Sequence, residues 1–573
     1  MKTAGPKYDL KMQLMWDRLG TVAEEQAQAL VRTAFSSIVR DSGDLSTGIF
    51  DLSGRMLVQA VTGTPGHVNA MALSVQHFIR HFPVREMKRG DVFITNDPWM
   101  GTGHLNDFVV TTPCFYKNKL VALFACTSHL IDVGGLGLIP DATDVFMEGV
   151  YVPFLRWAQA GKVNDTLMAI IKANTRLPTE SEGDIYSLVA CNDVGVKRLC
   201  EMMDEFKVSD LDALGRYIVQ SSSQAVLEEV RKLPQGQFTN SMTIDGFERE
   251  IELVAKLTIS SAGINVDYEG TSKQSRFGIN VPYSYAAAYT RFGLACVVVP
   301  NVPNNAGSLK PFSITAPAGS IVNAVYPAPV AARHMIGMML PDVVFGCLAQ
   351  AIPDRVPAEG TSGLWSLKLH GPLPARIDGP ATYTTHAISN GGAGARPGKD
   401  GLSATAFPSG VKCSPIELTE LSAPIVIWRK EYRPDSGGAG KYRGGHGLVV
   451  EVETRNGAPF DVRASFDRIK NPARGRDGGR NGASGYVGLK SGVRLNGVGR
   501  QNVEAGERLV LMTPGGAGMG SPRDRNPSAI EADLRDGVIS AEAARNDYGF
   551  TDGQTAKTSS PEHSVERVQG GMD

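Results

Sequence analysis

The sequence predicts an α+β, multidomain protein with mixed helices, antiparallel sheets and a β-rich, glycine-rich C-terminal region. Three observations predict it. A chain of 573 residues is too long for one hydrophobic core, because buried cores stop growing well below that size and chains split into domains. Apolar residues recur at helical intervals through much of the first 235 positions, whereas period-two alternation broken by glycine turns follows. The 64 glycines and 33 prolines show no three-residue collagen period, so they call for turns and close backbone approaches. The expected divisions are an N-terminal α+β domain at 1–235, a central α+β domain at 236–425, a β-rich domain at 426–552 and a disordered polar tail at 553–573.

Taken in order, Leu10, Leu14, Leu19, Val22, Ala27, Leu30 and Val31 place a buried stripe on a helix within 8–37. Residues 48–50 and 56–59 read as strands joined by the turn at 51–54. Residues 63–69 read as a loop carrying His67, followed by a helix at 70–82. A strand at 92–95 stops at Asn96-Asp97-Pro98, since proline has no N–H to donate. Residues 120–126 form an apolar strand, and 144–154 an interrupted one. Helices are expected at 165–174, 185–205 and 212–233, with a polar loop at 174–184. Alternating runs beginning at Met242, Ile251 and Gly263 predict an antiparallel sheet, with helices near 285–298 and 343–351. Residues 447–513 alternate again, and 527–536 form a short helix. The glycine-rich stretches at 390–401, 434–447 and 514–522 read as positive-φ turns.

Composition narrows the function. Lys plus Arg is 58 against 59 for Asp plus Glu, a net charge of -1, which argues against a general nucleic-acid or anionic-membrane binder. So balanced a charge resists self-association little, and an oligomer is expected. Seven dispersed cysteines without a C-x-x-C pair read as reduced thiols. No apolar leader opens the sequence and no run is long enough to span a bilayer, so the expected location is cytoplasmic. The glycine stretches at 434–447 and 514–522 do not make a phosphate loop. Tyr442 follows Lys441 where Ser or Thr is needed, and the segment at 514–520 has no lysine. A G-x-S-x-G elbow is absent too.

The chemistry concentrates between residues 94 and 135. His104 and Asp107 stand three residues apart, as do His129 and Asp132, and an apolar strand separates the pairs. Two imidazoles and a carboxylate suit a divalent cation of the zinc, manganese or iron class. The same pairs also read as structural His–Asp hydrogen bonds. Asp41 and Asp44 lie in an earlier turn, where acids are usually solvated or capping, but they supply a further ligand if that turn folds over the histidines.

The motifs DLSGRMLVQ, GDVFITNDPWMGTGHLND, SHLIDVGG, NTRLPTESEGD, NVPNNAGSLKPF, RPDSGGAGKYRGGHG, TPGGAGMGSPRDRNP and GVISAEAARNDYGF, in this order, give a chain that resembles the hydantoinase B/oxoprolinase family almost end to end. The resemblance implies one half of an ATP-dependent machine. Its partner would be a hydantoinase A-type subunit with an actin-like ATPase fold, which binds ATP and phosphorylates the substrate. Relatives open cyclic amides such as hydantoins, 5-oxoproline or caprolactam, and others carboxylate ketones. The resemblance also implies a divalent metal on His104, Asp107 and His129, with Asp41 as fourth ligand. Asp132 would orient an imidazole from behind, and Asp44 and His67 are weaker candidates. Two positions depart from the pattern: Asp41-Ser42-Gly43-Asp44 replaces an acid followed by arginine, and Leu130 replaces tryptophan. The chain length resembles the hydrolytic B subunits more than the longer ketone carboxylase subunits. A cyclic-amide hydrolase is therefore the first expectation and an acetone- or acetophenone-type carboxylase the alternative.

Overall fold

The computed structural model describes residues 9–61, 63–373 and 382–550; the tail expected at 553–573 lies outside them. It shows the expected mixture of helices and largely antiparallel sheets, arranged around three separate β-structures.

Helix α1 (Leu10–Thr33) starts where Asp9 accepts the backbone N–H groups of Lys11 and Met12, as an N-cap does. Its buried stripe includes Leu19, Val22, Ala27 and Leu30. A short α2 (Ser37–Arg40) leads to β1 (Leu45–Phe50) and β2 (Met56–Gln59), and α3 (Pro65–His81) follows. Strands β3 (Val92–Thr95), β4 (Asp107–Tyr116), β5 (Lys119–His129), β6 (Leu155–Gln159) and β7 (Lys162–Val163) complete a seven-stranded antiparallel sheet in the order β2-β1-β5-β4-β3-β6-β7. Leu123 and Ala125 of β5 pack with Met71 and Phe78 of α3, while Phe124 and Cys126 join the side occupied by α1. Covering both faces explains why these strands read as continuous apolar runs. Helices α4 (Asp165–Asn174) and α5 (Pro178–Phe206) lie on the α1 side. There a buried amide pair fixes α1 and α5 to the sheet: Gln26 Nε2 donates to Asn192 Oδ1 at 2.7 Å, and Asn192 Nδ2 donates to Thr112 Oγ1 at 3.1 Å.

Helix α6 (Asp212–Arg231) joins this layer to the second sheet. That sheet is built from β8 (Gly236–Ile244), β9 (Ile251–Ser260), β10 (Gly263–Asp267) and β11 (Phe312–Thr315), in the order β11-β10-β9-β8. One pair, β10 and β11, is parallel, because α7 (Tyr283–Val298) crosses over between them, a connection that parallel strands require. Along β9 alternate residues are buried, and the buried ones form a core with α7 and, after the short α8 (Ala306–Leu309) and α9 (His334–Gly337), with α10 (Leu340–Leu348).

The third structure is a sandwich. Strands β12 (Trp365–Pro372) and β13 (Thr382–Ser389) pair with β16 (Phe460–Ser465) and β18 (Val498–Val503). Facing them are β14 (Ile425–Tyr432), β15 (Leu448–Thr454), β17 (Tyr486–Leu489) and β19 (Leu509–Met512). Trp365, stacked on Phe466 at 4.5 Å, shares one core with Val450, Val462 and Leu511. Two of these strands, β12 and β13, precede residue 426.

Several local expectations are corrected. His67 sits in the first turn of α3, not in a loop, because Pro65 opens the helix at the one position where its missing N–H costs nothing. Pro178 does the same for α5, so most of the expected polar loop is helical. Residues 145–147 form a 3₁₀ turn where a strand was expected. The glycine stretches are not mainly positive-φ turns. Gly392, Gly444, Gly445 and Gly516 are not among the glycines in the left-handed region, and they bring backbones together. A Cβ on Gly392 would lie 1.9 Å from the Gly445 carbonyl oxygen, and one on Gly516 would lie 1.9 Å from that of Ala393.

Candidate metal centre

The β4–β5 hairpin carries the site. In its register Asp107, the first residue of β4, pairs with His129, the last of β5. His104 precedes β4 in a turn held by Asn96 Nδ2, which donates to the Leu105 carbonyl at 2.8 Å. The strand that separates the two His-x-x-Asp motifs therefore folds back and brings their inner members together. His104 Nε2 lies 2.7 Å and His129 Nδ1 3.2 Å from the same oxygen, Asp107 Oδ1, and all three side chains are buried.

Neighbouring elements add further groups. Residue Asp44 immediately precedes β1, which pairs with β5 so that Leu45 faces Ser128. His67, from α3, places Nε2 2.9 Å from Asp107 Oδ2 and Nδ1 3.5 Å from Asp44 Oδ1. Thr64 Oγ1 donates to that Asp44 oxygen at 2.9 Å. From the second layer, the Arg333 guanidinium pairs with Asp107 Oδ2, donates through Nε to the Thr102 carbonyl at 2.8 Å, and lies 3.9 Å above the Tyr285 ring. Burial opposes ionisation of Asp107, but the His67 ring and the Arg333 guanidinium hold its carboxyl well below the usual range. Burial and then the Arg333 charge push His104 down to about 3, so its ring is neutral at ordinary pH.

That neutrality tests whether the residues fit a metal. The His104 Nδ1 faces the Ala331 carbonyl oxygen at 2.9 Å, and a carbonyl only accepts, so Nδ1 carries the proton. The Nε2 lone pair of the neutral ring then points at a carboxylate oxygen. Two acceptors at 2.7 Å repel unless a cation lies against both. The three ligand-competent atoms of His104, Asp107 and His129 fall within 4.8 Å of one another. This donor set fits a divalent ion of the zinc, manganese or iron class. A void of about 30 Å³ adjoins it, roomy enough for about one water.

The remaining expected residues lie differently. Asp41 is not brought to these imidazoles. Its carboxylate pairs with adjacent Arg40 at 3.0 Å, and Asp44 supplies the acid that reaches the cluster from this turn. Asp132 does not back an imidazole. It accepts from Arg176 Nη1 at 2.9 Å and from the backbone N–H groups of Gly134, Arg176 and Leu177. The Ala331 carbonyl orients His104 instead, and Glu148 holds the loop that carries it by accepting the Val330 and Ala331 N–H groups at 2.6 and 2.8 Å. Arg333, Tyr285 and Glu148 were missed by sequence reasoning; each lies in a run with no motif of its own. Beyond His129 and His386 the site opens into a cavity of about 320 Å³.

Known proteins share this arrangement of sequence and fold. The family described as Hydantoinase B/oxoprolinase matches residues 9–522. The chain is 27% identical to the caprolactamase subunit beta of Pseudomonas jessenii, over 96% of each chain. It is 27% identical to 5-oxoprolinase 1 of Arabidopsis thaliana, over 89% of this chain and 42% of that one. Among solved structures, an ATP-dependent caprolactamase from Pseudomonas jessenii superposes with a TM-score of 0.86 at 26% identity, covering 95% of this chain and 96% of that one. A nucleotide-free acetone carboxylase superposes at 0.84 with 18% identity over 95% and 80%, which shows the fold alone.

Proposed function

Because the chain belongs to the hydantoinase B/oxoprolinase family, we propose that it is the metal-bearing B-type subunit of an ATP-dependent cyclic-amide hydrolase. A partner ATPase of the hydantoinase A type binds ATP and phosphorylates the substrate. The observation that carries this reading is the convergence of His104, Asp107 and His129 on one point at the end of a buried hairpin. The relatives named caprolactamase and 5-oxoprolinase support a cyclic amide as the substrate class, and the word subunit in the first supports a hetero-oligomer.

His104 Nε2, His129 Nδ1 and Asp107 Oδ1 would hold the ion, with Asp44 and His67 adjoining. When bound, a divalent ion supplies Lewis acidity, lowering the pKa of water and screening charge on a departing phosphate. The chain's own residues prepare the site for this. The Ala331 carbonyl fixes the His104 tautomer, and Arg333 fixes the rotation of Asp107. Burial removes competing bulk water, which strengthens every charge interaction at the reacting centre. An amide carbonyl is resonance-stabilised, and phosphorylation of its oxygen by the partner makes the carbon a better electrophile. Water then adds at that carbon, the nitrogen takes a proton as the ring C–N bond breaks, and a second water hydrolyses the acyl phosphate so formed to a carboxylate and free phosphate.

The two half-reactions are separable on this reading. His129→Ala should lower metal content sharply and abolish ring-opened product while the reconstituted complex retains substrate-dependent phosphate release. Elemental analysis, phosphate assay and product mass check it together. Full metal occupancy in the variant overturns the ligand assignment. Loss of all ATP cleavage from an intact complex overturns the division of labour. A product heavier than substrate by carbon dioxide, not water, establishes the carboxylase alternative.

A further inference from the structure

The cavity beside the cluster carries more positive charge than its walls neutralise. Lys368 on β12 and Arg463 on β16 stand directly opposite each other in the register. Like charges at such positions destabilise a sheet, and burial of Lys368, which is 5% exposed, adds to the cost. Neither has a carboxylate partner within ion-pair distance among the described residues. Lys368 Nζ donates only to the Leu138 carbonyl and, at 3.5 Å, to Ser465 Oγ. Arg463 Nη1 reaches the Leu136 carbonyl at 3.4 Å, and its Nε is buried without a partner. Arg176 adds a third cation, already paired with Asp132. Lys368, Arg463, Arg176 and Asp132 line the cavity of about 320 Å³ that ends at His129 and His386.

We propose that this cavity binds an oxyanion group of the reacting ligand, carboxylate or phosphate, through Lys368 and Arg463. The inference rests on the reading of the adjoining cluster as the reaction centre, and it names the ligand class for that centre: a small anionic molecule whose charged end lies against β12 and β16. Two cations, held on rigid neighbouring strands and left without a carboxylate partner, form a preorganised anion site. A neutral lactam would leave both without a counter-charge. Burial and the facing Arg463 push Lys368 down to about 7, with Asp141 opposing; the imidazoles His334 and His386 also face it. An arriving anion therefore favours the protonated amine and should draw a proton from buffer.

Calorimetry on the full chain tests this, both as purified and after chelation so that no ion at the cluster captures the probe. The probes are inorganic phosphate, 5-oxoproline as a carboxylate and caprolactam as a neutral lactam. Wild type should bind at least one oxyanion probe with proton uptake near neutral pH, seen as a dependence of heat on buffer ionisation enthalpy. Lys368→Met and Arg463→Met should each weaken it by about tenfold or more, and Lys368→Met should abolish the uptake. Phosphate binding alone identifies a phosphoryl group, and 5-oxoproline binding alone a ligand carboxylate. Arg463→Lys keeps the charge but removes the unpartnered Nε–H and the planar fork, so it decides the matter if the methionine variants do not fold; a severalfold loss of affinity is expected. The proposal is overturned if neither oxyanion binds, if caprolactam binds as tightly as both, or if the folded variants bind unchanged. Metal analysis of the same samples separates the two readings: a chain that binds the oxyanion but never takes up metal at His104 and His129 keeps the cavity assignment and loses the metal centre.

Discussion

At the scale of single residues, the site depends on one position where a side chain cannot be added. Gly103 has φ +101, and a Cβ there would lie 2.5 Å from Arg333 Cδ and Nε. Gly103→Ala should therefore cost about 1–3 kcal/mol from backbone strain and displace the guanidinium that fixes Asp107. Its signature is a lower unfolding midpoint together with weakened metal retention; an unchanged metal affinity would show that Arg333 does not position the carboxylate. The inner members of the two His-x-x-Asp motifs were legible because short spacing and an intervening apolar strand place them at one hairpin end. Arg333 was not, since it meets Asp107 across 226 positions of chain and nothing local marks it. The choice between Asp41 and Asp44 was equally hidden. Both sit in one turn, and only the pairing of β1 with β5 decides which faces the imidazoles.

At the scale of elements, the hairpin stays in place because helices clamp its sheet from both sides. The Gln26–Asn192 pair is the polar part of that clamp. Asn192 Nδ2 also donates to the Val110 carbonyl at 3.3 Å, and Gln26 Nε2 to that of Ala125 at 3.2 Å. Asn192→Ala strands several buried groups at once, at about 1–3 kcal/mol for each one left unsatisfied. Denaturant unfolding followed on the N-terminal layer should show the loss; a shift within error would mean that water replaces the amide. The helices themselves were readable from their apolar stripes, and α4 begins and ends as periodicity predicts. Their starts were less readable. Pro65 and Pro178 look like breakers inside loops, yet each is the first residue of a helix, and composition does not distinguish a proline that ends order from one that begins it.

At the scale of the whole molecule, the layers meet through buried charge. The carboxylate of Asp245, just beyond β8, accepts the backbone N–H groups of Ile469, Lys470 and Asn471 from the sandwich. Nearby Asp467 is pushed up to about 7, first by burial and then by Asp245. Because the folded protein holds this proton more tightly than the unfolded chain does, the associated stability is present at low pH and lost as pH rises through that value. Asp467→Asn removes the loss. Its thermal midpoint should exceed wild type at about pH 8, with a smaller gain near pH 5; an equal gain at both would exclude ionisation as the cause. The sandwich was only half legible in advance. Its later strands alternate visibly, but β12 and β13 lie in or beside glycine-rich sequence whose packing no periodicity reveals.

Those glycine segments set a timetable for biosynthesis. Gly392 donates to the Pro514 carbonyl, Ala395 to that of Ala517, Gly438 to that of Gly516, and Gly516 to that of Gly445. Residues 514–518 are thus the central slat to which two earlier segments attach, and they leave the ribosome after both. At translation rates of about 5–20 residues per second, the segment around 392 waits on the order of ten seconds for its neighbour. The last slat to be made locks the first, so the sandwich closes only once nearly all of its chain has been translated.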